Sequence, residues 1–150
     1  MKENCRFCEI IHGDRENEEV VWETEHYLVL LDPYRRTSVG AICLIIPKKH
    51  RENLLELDEQ ESQAAIHTMQ RVAEALQNAY GCKGVRVWTA VNPEAGQSIL
   101  HCHFHVLGCR SFADRIIASF PGIYDLLRLR RKQSRAKLAL HAEKIRKALG

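Results

Sequence analysis

The sequence predicts an α+β fold in which a five-stranded, mainly antiparallel sheet carries one long helix on one face. Five short runs rich in β-branched, aromatic or alternating apolar residues are bounded by turn-forming residues, as is typical of strands. Residues 58–81, between the third and fourth runs, instead repeat their apolar side chains at helical spacing. A chain of 150 residues is long enough for one domain with its own core.

The first two strands are predicted to form a hairpin. Residues 20–22 and 27–31 are largely apolar, and the polar residues 23–26 between them suit a turn. Asp32 and Pro33 end the second strand, because proline has no N–H to donate and biases its predecessor to extended geometry.

A buried strand and the long helix follow. Residues 41–46 form an apolar run that ends at Pro47. Asp58 with Glu61 predicts a capping box at the start of the helix, and Gly81 predicts its end. The apolar stripe predicted to cover the sheet consists of Ile66, Met69, Val72, Ala73, Leu76 and Tyr80.

The last two strands are predicted to pair through a turn at residues 92–98. Residues 84–91 form the first, and residues 101–107, with the sequence H-C-H-F-H-V-L, form the second. Successive side chains of a strand point to opposite faces, so three imidazoles are predicted to share one face. The opposite face is then apolar and can pack into the core: Cys102, Phe104 and Val106.

Three histidines in register predict chemistry, because a merely polar face would more readily use Thr, Lys or Glu. Two functions fit the pattern: a metal site, or phosphoryl chemistry in which one imidazole is the nucleophile. Neutral imidazole is nucleophilic near physiological pH because its pKa lies close to about 6.5.

The N-terminal C-x-x-C pair, Cys5 and Cys8, fits a redox dithiol, two zinc ligands or coincidence. Only four residues precede Cys5, too few for the strand that a thioredoxin-like site needs, so zinc with two further ligands is favoured.

No apolar leader opens the sequence, and the run at residues 39–46 is too short to span a bilayer. We therefore expect a cytoplasmic protein with reduced cysteines and no membrane partner.

The motifs G-Q-S at residues 96–98 and H-x-H-x-H followed by two apolar residues resemble the histidine triad (HIT) superfamily of nucleotidyl hydrolases and transferases. The opening C-x-F-C-x-I-I-x-G also resembles the N-terminus of many HIT proteins. The resemblance implies a HIT-like fold, usually as a homodimer. It also implies hydrolysis or transfer of a nucleoside monophosphate from a phosphoanhydride, such as a dinucleoside polyphosphate, or from an adenosine phosphoramidate.

The resemblance further implies roles for individual residues. His103 matches the nucleophile that forms a covalent nucleotidyl-histidine, and His105 matches a phosphate contact. Gln97 and Ser98 match residues that bind the phosphate or leaving group, and Asp32 matches a residue that contacts the ribose. The implied zinc ligands form a closed, structural Cys2His2 set in which His101 either binds the metal or braces the nucleophile: Cys5, Cys8, His50 and His101.

Two features bear on phosphate placement. Ala90 stands where adenylate-hydrolysing relatives commonly carry a phosphate-contacting amide, so either Asn92 substitutes for that amide or the contact is absent. Lys48, Lys49 and Arg51 form an electropositive corner that can attract polyphosphate, or they form a solvated charge run.

The sequence suggests a boundary after residue 110. Residues 1–110 carry the HIT-like motifs, and residues 111–150 form a helical, basic extension. Residues 126–150 hold nine Lys or Arg against one Glu, a net charge of +8 that leaves −5 for the rest of the chain. Helical spacing predicts an amphipathic helix that either packs on the domain or a dimer mate or binds nucleic acid. Its apolar positions are Leu138, Ala142, Ile145 and Leu149.

Three alternatives to the nucleotide hydrolase stay open. In a metal hydrolase, the three histidines hold a catalytic zinc. In a binding module without catalysis, the basic extension holds a nucleotide or nucleic acid. In the third, the chemistry is the same and the substrate is an adenylated nucleic-acid end.

Overall fold

The structure is a computed structural model that describes residues 4–13, 20–35, 37–119 and 131–150. Its strands in chain order are β1 (Val20–Glu23), β2 (Tyr27–Leu31), β3 (Tyr34–Arg35), β4 (Ile42–Pro47), β5 (Gly84–Trp88), β6 (Phe104–Cys109) and β7 (Arg131–Lys132). Its α-helices are α1 (Arg6–His12), α2 (Glu59–Tyr80), α3 (Phe112–Ser119) and α4 (Arg135–Leu149). Short 3-10 turns span Leu54–Glu56 and Pro93–Ala95.

Five of these strands form one antiparallel sheet in the order β1-β2-β4-β6-β5, which confirms the predicted architecture. All residues of β2 are buried, because both faces of the sheet are covered. Tyr27, Val29 and Leu31 belong to the core beneath α2, whereas Leu28 and Leu30 belong to a second core with α1. This alternation along β2 defines an α2 face and an α1 face of the sheet.

Helix α2 begins and ends as predicted. The Asp58 carboxylate accepts the N–H of Glu61, the Glu61 carboxylate accepts the N–H of Asp58, and Gly81 adopts the left-handed conformation with φ 63°. The predicted stripe was wrong at Ile66, which is 56% exposed. The buried stripe runs through Ala65 instead, one position earlier, because 3.6 residues per turn leaves the edge of an apolar face poorly defined by sequence.

The C-terminal helix α4 packs on the body of the protein. Its buried side chains are the four that were predicted: Leu138, Ala142, Ile145 and Leu149. They join the core beneath α2, and the Arg146 guanidinium donates to the carbonyl oxygen of Val20 at the edge of β1. Helix α4 therefore lies on the α2 face. Residues 120–130 of the predicted extension lie outside the described residues.

Four elements were not predicted: α1, α3, β3 and β7. Helix α1 buries Phe7, Ile10 and Ile11 on the α1 face of the sheet. Helix α3 follows β6, and the two-residue strands β3 and β7 pair antiparallel. No helix in the described part of the chain is long and apolar enough to cross a lipid bilayer.

Candidate active site and metal cluster

The three histidines share one side of the chain, as predicted, although strand β6 begins only at Phe104. His101 and His103 therefore precede the strand, but their side chains keep the alternating pattern. The residues between and after the histidines pack in the core beneath α2: Cys102, Phe104 and Val106. The imidazoles consequently lie on the α1 face of the sheet.

The orientation and proton position of His103 are fixed by a hydrogen bond. Its Nδ1 lies 2.8 Å from the carbonyl oxygen of His101, so Nδ1 carries the proton and donates it. The lone pair is then on Nε2. Burial lowers the pKa of His103, and the hydrogen bond to His101 and the charge of Asp32 offset this only in part. His103 is thus a neutral imidazole with a nucleophilic nitrogen at physiological pH.

His103 and His105 border a cavity of about 510 Å³. A volume of this size suits a small-molecule ligand. Arg6 is the one lysine or arginine among the described residues that line the cavity, and Asp32 is its one carboxylate. The aliphatic and aromatic lining comes mainly from α1, β2, β4 and the loop that precedes His101: Phe7, Ile10, Leu30, Leu44 and Ile99. The cavity therefore combines an apolar lining with two imidazoles.

Asp32 lies directly after β2 and is 5% exposed. Its Oδ1 accepts the backbone N–H of Tyr34 at 2.9 Å, an Asx-type turn. Its carboxylate also faces the cavity and contributes to the electrostatics of His103. The same side chain therefore closes the turn and borders the cavity.

Gln97 holds the loop beside the histidines. Its amide nitrogen donates to the carbonyl oxygens of Glu52 and Ile99, and its amide oxygen accepts the N–H of Asn92. The side chain is buried, which makes these hydrogen bonds costly to lose. Ser98, in contrast, is exposed and lines the cavity. Gln97 thus supports the loop, and Ser98 presents a hydroxyl group.

The structure does not bring Asn92 to the cavity. Its side-chain oxygen accepts a hydrogen bond from Asn53 at 3.3 Å, and its backbone combines a φ of 67° with a ψ of 161°, a conformation that glycine adopts far more readily than asparagine. Ala90 does line the cavity. The position that carries an amide in the resembling family is therefore occupied here by a methyl group.

A separate cluster brings together the four predicted metal ligands. The Nδ1 atom of His101 lies 3.4 Å from Cys5 Sγ and 3.6 Å from Cys8 Sγ, and His50 Nδ1 lies 3.3 Å from Cys8 Sγ. All four donor atoms lie within 4.8 Å of one another. Ligands around a tetrahedral zinc ion are about 3.3–3.8 Å apart, given Zn–N and Zn–S lengths of about 2.0–2.3 Å. The three distances between imidazole nitrogens and thiol sulfurs fall within this range.

The hydrogen bonding of His101 also suits a metal ligand. Its Nε2 donates to the carbonyl oxygen of Pro47 at 2.8 Å, so the nitrogen that faces the thiols carries the lone pair. Burial lowers the pKa of His101 to about 4, which keeps the ring neutral. Among the described residues, the three triad imidazoles do not themselves form a group close enough to share an ion.

The predicted electropositive corner is largely neutralised. Lys48 pairs with Glu23 at 2.9 Å, and Lys49 and Arg51 both contact Glu61. None of these three cations lines the cavity. The corner is therefore engaged in ion pairs with β1 and the start of α2 and does not border the cavity.

The sequence analysis missed several residues that line the cavity. Arg6 and Phe7 come from α1, and Trp88 and Thr89 come from the end of β5. The hydroxyl of Thr89 donates to the carbonyl oxygen of His103 at 2.7 Å. The antiparallel register of β5 and β6 could have placed Trp88 beside His105, but the loop between them did not reveal that register.

Comparison with known proteins places this site in a family. The HIT domain family model matches residues 14–112. The curated relative "Protein hit" from Bacillus subtilis (strain 168) is 34% identical over 105 residues, 70% of this chain and 70% of that protein. A crystal structure of a hypothetical histidine triad nucleotide-binding protein from Sulfolobus tokodaii has a TM-score of 0.76 and 28% identity, and the alignment covers 97% of this chain and 91% of that one.

A zinc-bound histidine triad family protein from Mycobacterium smegmatis has a TM-score of 0.73 at 24% identity, and the alignment covers 97% of this chain and 93% of that one, which shows a shared fold. Both structural alignments extend into the C-terminal region, so the shared fold does not stop at the last triad histidine. The sequence match, the alternating histidines and the sheet lead to the same conclusion: the chain belongs to the HIT domain family.

Proposed function

We propose that this protein is a nucleotide hydrolase or nucleotidyl transferase that attacks the α-phosphate of a nucleoside phosphoanhydride or phosphoramidate. The observation that carries the proposal is the hydrogen bond from His103 Nδ1 to the carbonyl oxygen of His101. It leaves the Nε2 lone pair on a neutral, partly buried imidazole that borders a cavity of ligand size. A nucleophile of this kind suits attack on phosphorus at neutral pH.

The reaction would proceed in two displacements. In the first, Nε2 of His103 forms a bond to the α-phosphorus while the bond to the leaving group breaks, and the leaving oxygen or nitrogen takes the electron pair and a proton. In the second, water or another acceptor attacks phosphorus and releases the imidazole. His105, whose ring centroid lies 5.1 Å from that of His103, would contact the phosphoryl oxygens and stabilise their developing charge.

Binding of the nucleotide would use the remaining lining residues. Asp32 would accept hydrogen bonds from the ribose hydroxyls, and the apolar lining would enclose the base. Ser98 would donate to the phosphate or the leaving group, in a loop that Gln97 supports. Arg6 supplies positive charge among the described lining residues, which favours a substrate held mainly at one phosphate.

We also propose that the Cys2His2 cluster holds a structural zinc ion. The donor set, its spacing and the neutral His101 fit this metal, and the Mycobacterium smegmatis relative is zinc-bound. Zinc would be held by Cys5, Cys8, His50 and His101, would link α1 to the segment after β4, and would have no open coordination position for water. The chemistry would therefore remain with His103.

The decisive experiment is a screen of the purified protein against an adenosine phosphoramidate, diadenosine polyphosphates and adenylated DNA. We expect turnover of at least one of these substrates, with at least about a 10³-fold loss in His103→Ala. His67→Ala removes an exposed histidine of α2 and should match the wild type. A nucleotide labelled at the α-phosphate should be trapped on the wild-type chain and not on His103→Ala. Turnover that survives the loss of His103 would contradict the proposal.

The same assays, repeated with a chelator, also distinguish the proposed function from the metal-hydrolase alternative. That alternative predicts no covalent intermediate and immediate loss of activity on chelation. The structural-zinc proposal predicts instead that chelation acts through unfolding, so the loss of activity should follow the loss of secondary structure.

An adenylated nucleic-acid end is the second candidate substrate. The observation that favours it is the pairing of strand β7 with strand β3. Strand β7 consists of two basic residues, Arg131 and Lys132, and Tyr34 of β3 lines the cavity. Helix α4, by contrast, lies on the α2 face of the sheet, away from the cavity. A preference for adenylated DNA that salt abolishes and Lys132→Gln weakens would support this candidate.

Two further proposals concern the surroundings of the protein. We propose a homodimer, as the family resemblance implies, and sedimentation equilibrium tests it directly. We propose a reducing, cytoplasmic environment because no disulfide joins any of the six cysteines, all of which belong to the described residues. Unchanged mobility of the freshly isolated protein with and without a reductant would agree with this environment.

A further inference from the structure

Trp88 and His105 form a flat aromatic stack at the cavity. The two residues face each other directly in the β5–β6 pairing, so their side chains lie on the same face of the sheet. The indole and imidazole centroids are 4.6 Å apart, and the ring planes differ by 5°. Both residues line the cavity. Trp88 is therefore a neighbour of the candidate phosphate-contacting histidine.

The stack restricts rotation of the His105 ring about its χ2 torsion. Rotation of a histidine ring about χ2 has broad minima, so backbone position alone does not fix the ring plane. A parallel indole at this distance permits little rotation, because turning the imidazole would drive its edge into the indole face. On the side of the triad, His103 meets His105 edge-on, with ring planes 68° apart. The Nδ1 atom of His105 is buried, so the ring reaches the cavity through its other edge.

We propose that Trp88 is a positioning residue for the phosphoryl-transfer step: its indole ring holds the His105 imidazole in the plane that directs the cavity-side nitrogen at the phosphoryl group. This inference rests on the proposed function. Trp88 acts on the substrate through His105 and does not itself take part in the chemistry. Its effect is therefore on the rate of the chemical step and little on the affinity for substrate.

The test compares two substitutions of Trp88. Trp88→Leu keeps apolar volume and removes the flat ring, whereas Trp88→Phe keeps a flat ring. With the substrate that the wild type turns over, we expect Trp88→Leu to lower kcat about two- to tenfold while KM stays within about twofold. Trp88→Phe should recover most of the lost kcat. Val87→Ala, the adjacent position whose side chain lies on the other face of the strand, is the matched control and should match the wild type.

A fluorescence experiment tests the stack without turnover. The chain has two tryptophans, so Trp22→Phe leaves Trp88 as the only emitter. We expect the emission of Trp88 to change when His105→Leu is added to that background and to stay constant when His67→Leu is added instead. If the emission of Trp88 does not change on His105→Leu, the inference is overturned even if Trp88→Leu fails to fold.

The outcomes separate the inference from the function on which it rests. Turnover that requires His103 but is equal in Trp88→Leu and wild type would overturn the role of Trp88 alone. A rise in KM at unchanged kcat would overturn it as well, because a residue that merely shapes the cavity gives that result. Wild-type turnover that does not require His103 would overturn the proposed function and, with it, this inference.

Discussion

The backbone carbonyl of Arg51 accepts a hydrogen bond from the N–H of Cys102 at 2.6 Å, between the first two histidines of the triad. The side chain of Arg51 forms two hydrogen bonds with Glu61, at 2.9 and 3.1 Å, and Glu61 also belongs to the capping box of α2. Arg51 thereby connects the start of the long helix to the backbone that carries the triad. One partly buried ion pair therefore links these two elements.

Replacement of Glu61 should therefore reduce stability in a pH-dependent way. Burial acts to raise the pKa of Glu61, but the hydrogen bonds from Arg51 and from the backbone of Asp58 outweigh it and lower the pKa below its usual value. A lowered folded-state pKa stabilises the protein above the unfolded value of about 4.3, and this contribution disappears as the pH falls through the folded value. We expect Glu61→Gln to cost about 1–3 kcal/mol at pH 7 and less below pH of about 4.

Urea unfolding at neutral pH and at acidic pH measures the free energy of unfolding of Glu61→Gln and of the wild type under both conditions. Glu74→Gln, an exposed substitution on the same helix, should change the free energy of unfolding by less than about 0.5 kcal/mol at either pH. An equal loss for Glu61→Gln at both pH values would show that shape, and not charge, dominates at this position.

Loss of a cluster cysteine should remove the metal. We expect the purified protein to hold about one zinc per chain, and Cys8→Ser to lose it together with at least about 3 kcal/mol, roughly 10 °C in Tm. Elemental analysis and thermal unfolding check the two effects. Cys109→Ser, at a half-exposed thiol outside the cluster, should retain the zinc. His103→Ala should retain it too, and a variant at position 103 that lost zinc would point to the metal-hydrolase alternative.

Removal of the Gln97 amide should loosen the loop beside the histidines. Gln97→Ala deletes three hydrogen bonds of a buried side chain, so we expect a loss of about 2 kcal/mol in stability and a decrease in kcat/KM. Gln97→Glu should be no better, because a carboxylate cannot donate to the carbonyls of Glu52 and Ile99. Glu94→Gln, exposed in the same loop, is the control for stability by urea unfolding. A fully stable Gln97→Ala would contradict the supporting role.

Helix α4 should behave as part of the folded body. Ile145 is fully buried, so Ile145→Ala is expected to cost about 2–5 kcal/mol. Leu140 lies on the same helix and is 66% exposed, so Leu140→Ala should cost less than about 0.5 kcal/mol. Thermal or urea unfolding distinguishes the two variants. Equal stabilities would indicate that α4 is a detached basic arm.

The sequence predicted which face carries the three histidines, because side chains alternate between the two faces even where the backbone is not hydrogen-bonded as a strand. His101 and His103 precede β6, yet their side chains alternate with Cys102 as strand residues do. The capping box of α2 and the buried face of α4 were also predictable, since both depend on residues close together in the chain. The four metal ligands came from the family resemblance, because no local pattern connects Cys5 with His101.

Other features depend on contacts that the sequence does not display. Strands β3 and β7 have two residues each and pair across almost 100 positions, too short for any periodicity to appear. The sequence leaves open whether Lys48 and Arg51 attract polyphosphate or form a solvated charge run, because the acidic side chains of β1 and α2 that pair with them are distant in the chain. The stacking of Trp88 on His105 likewise required the register of two strands, which the intervening loop did not specify.

His101 takes part in two sites at once. Its ring faces the thiols of Cys5 and Cys8, and its main-chain oxygen accepts a hydrogen bond from the His103 ring. A replacement at this position would remove one of the four proposed zinc ligands and would also alter the residue whose carbonyl oxygen orients the proposed nucleophile. A kinetic defect in such a variant cannot be apportioned between folding and chemistry, so genetic dissection of the triad has to begin at its second and third members.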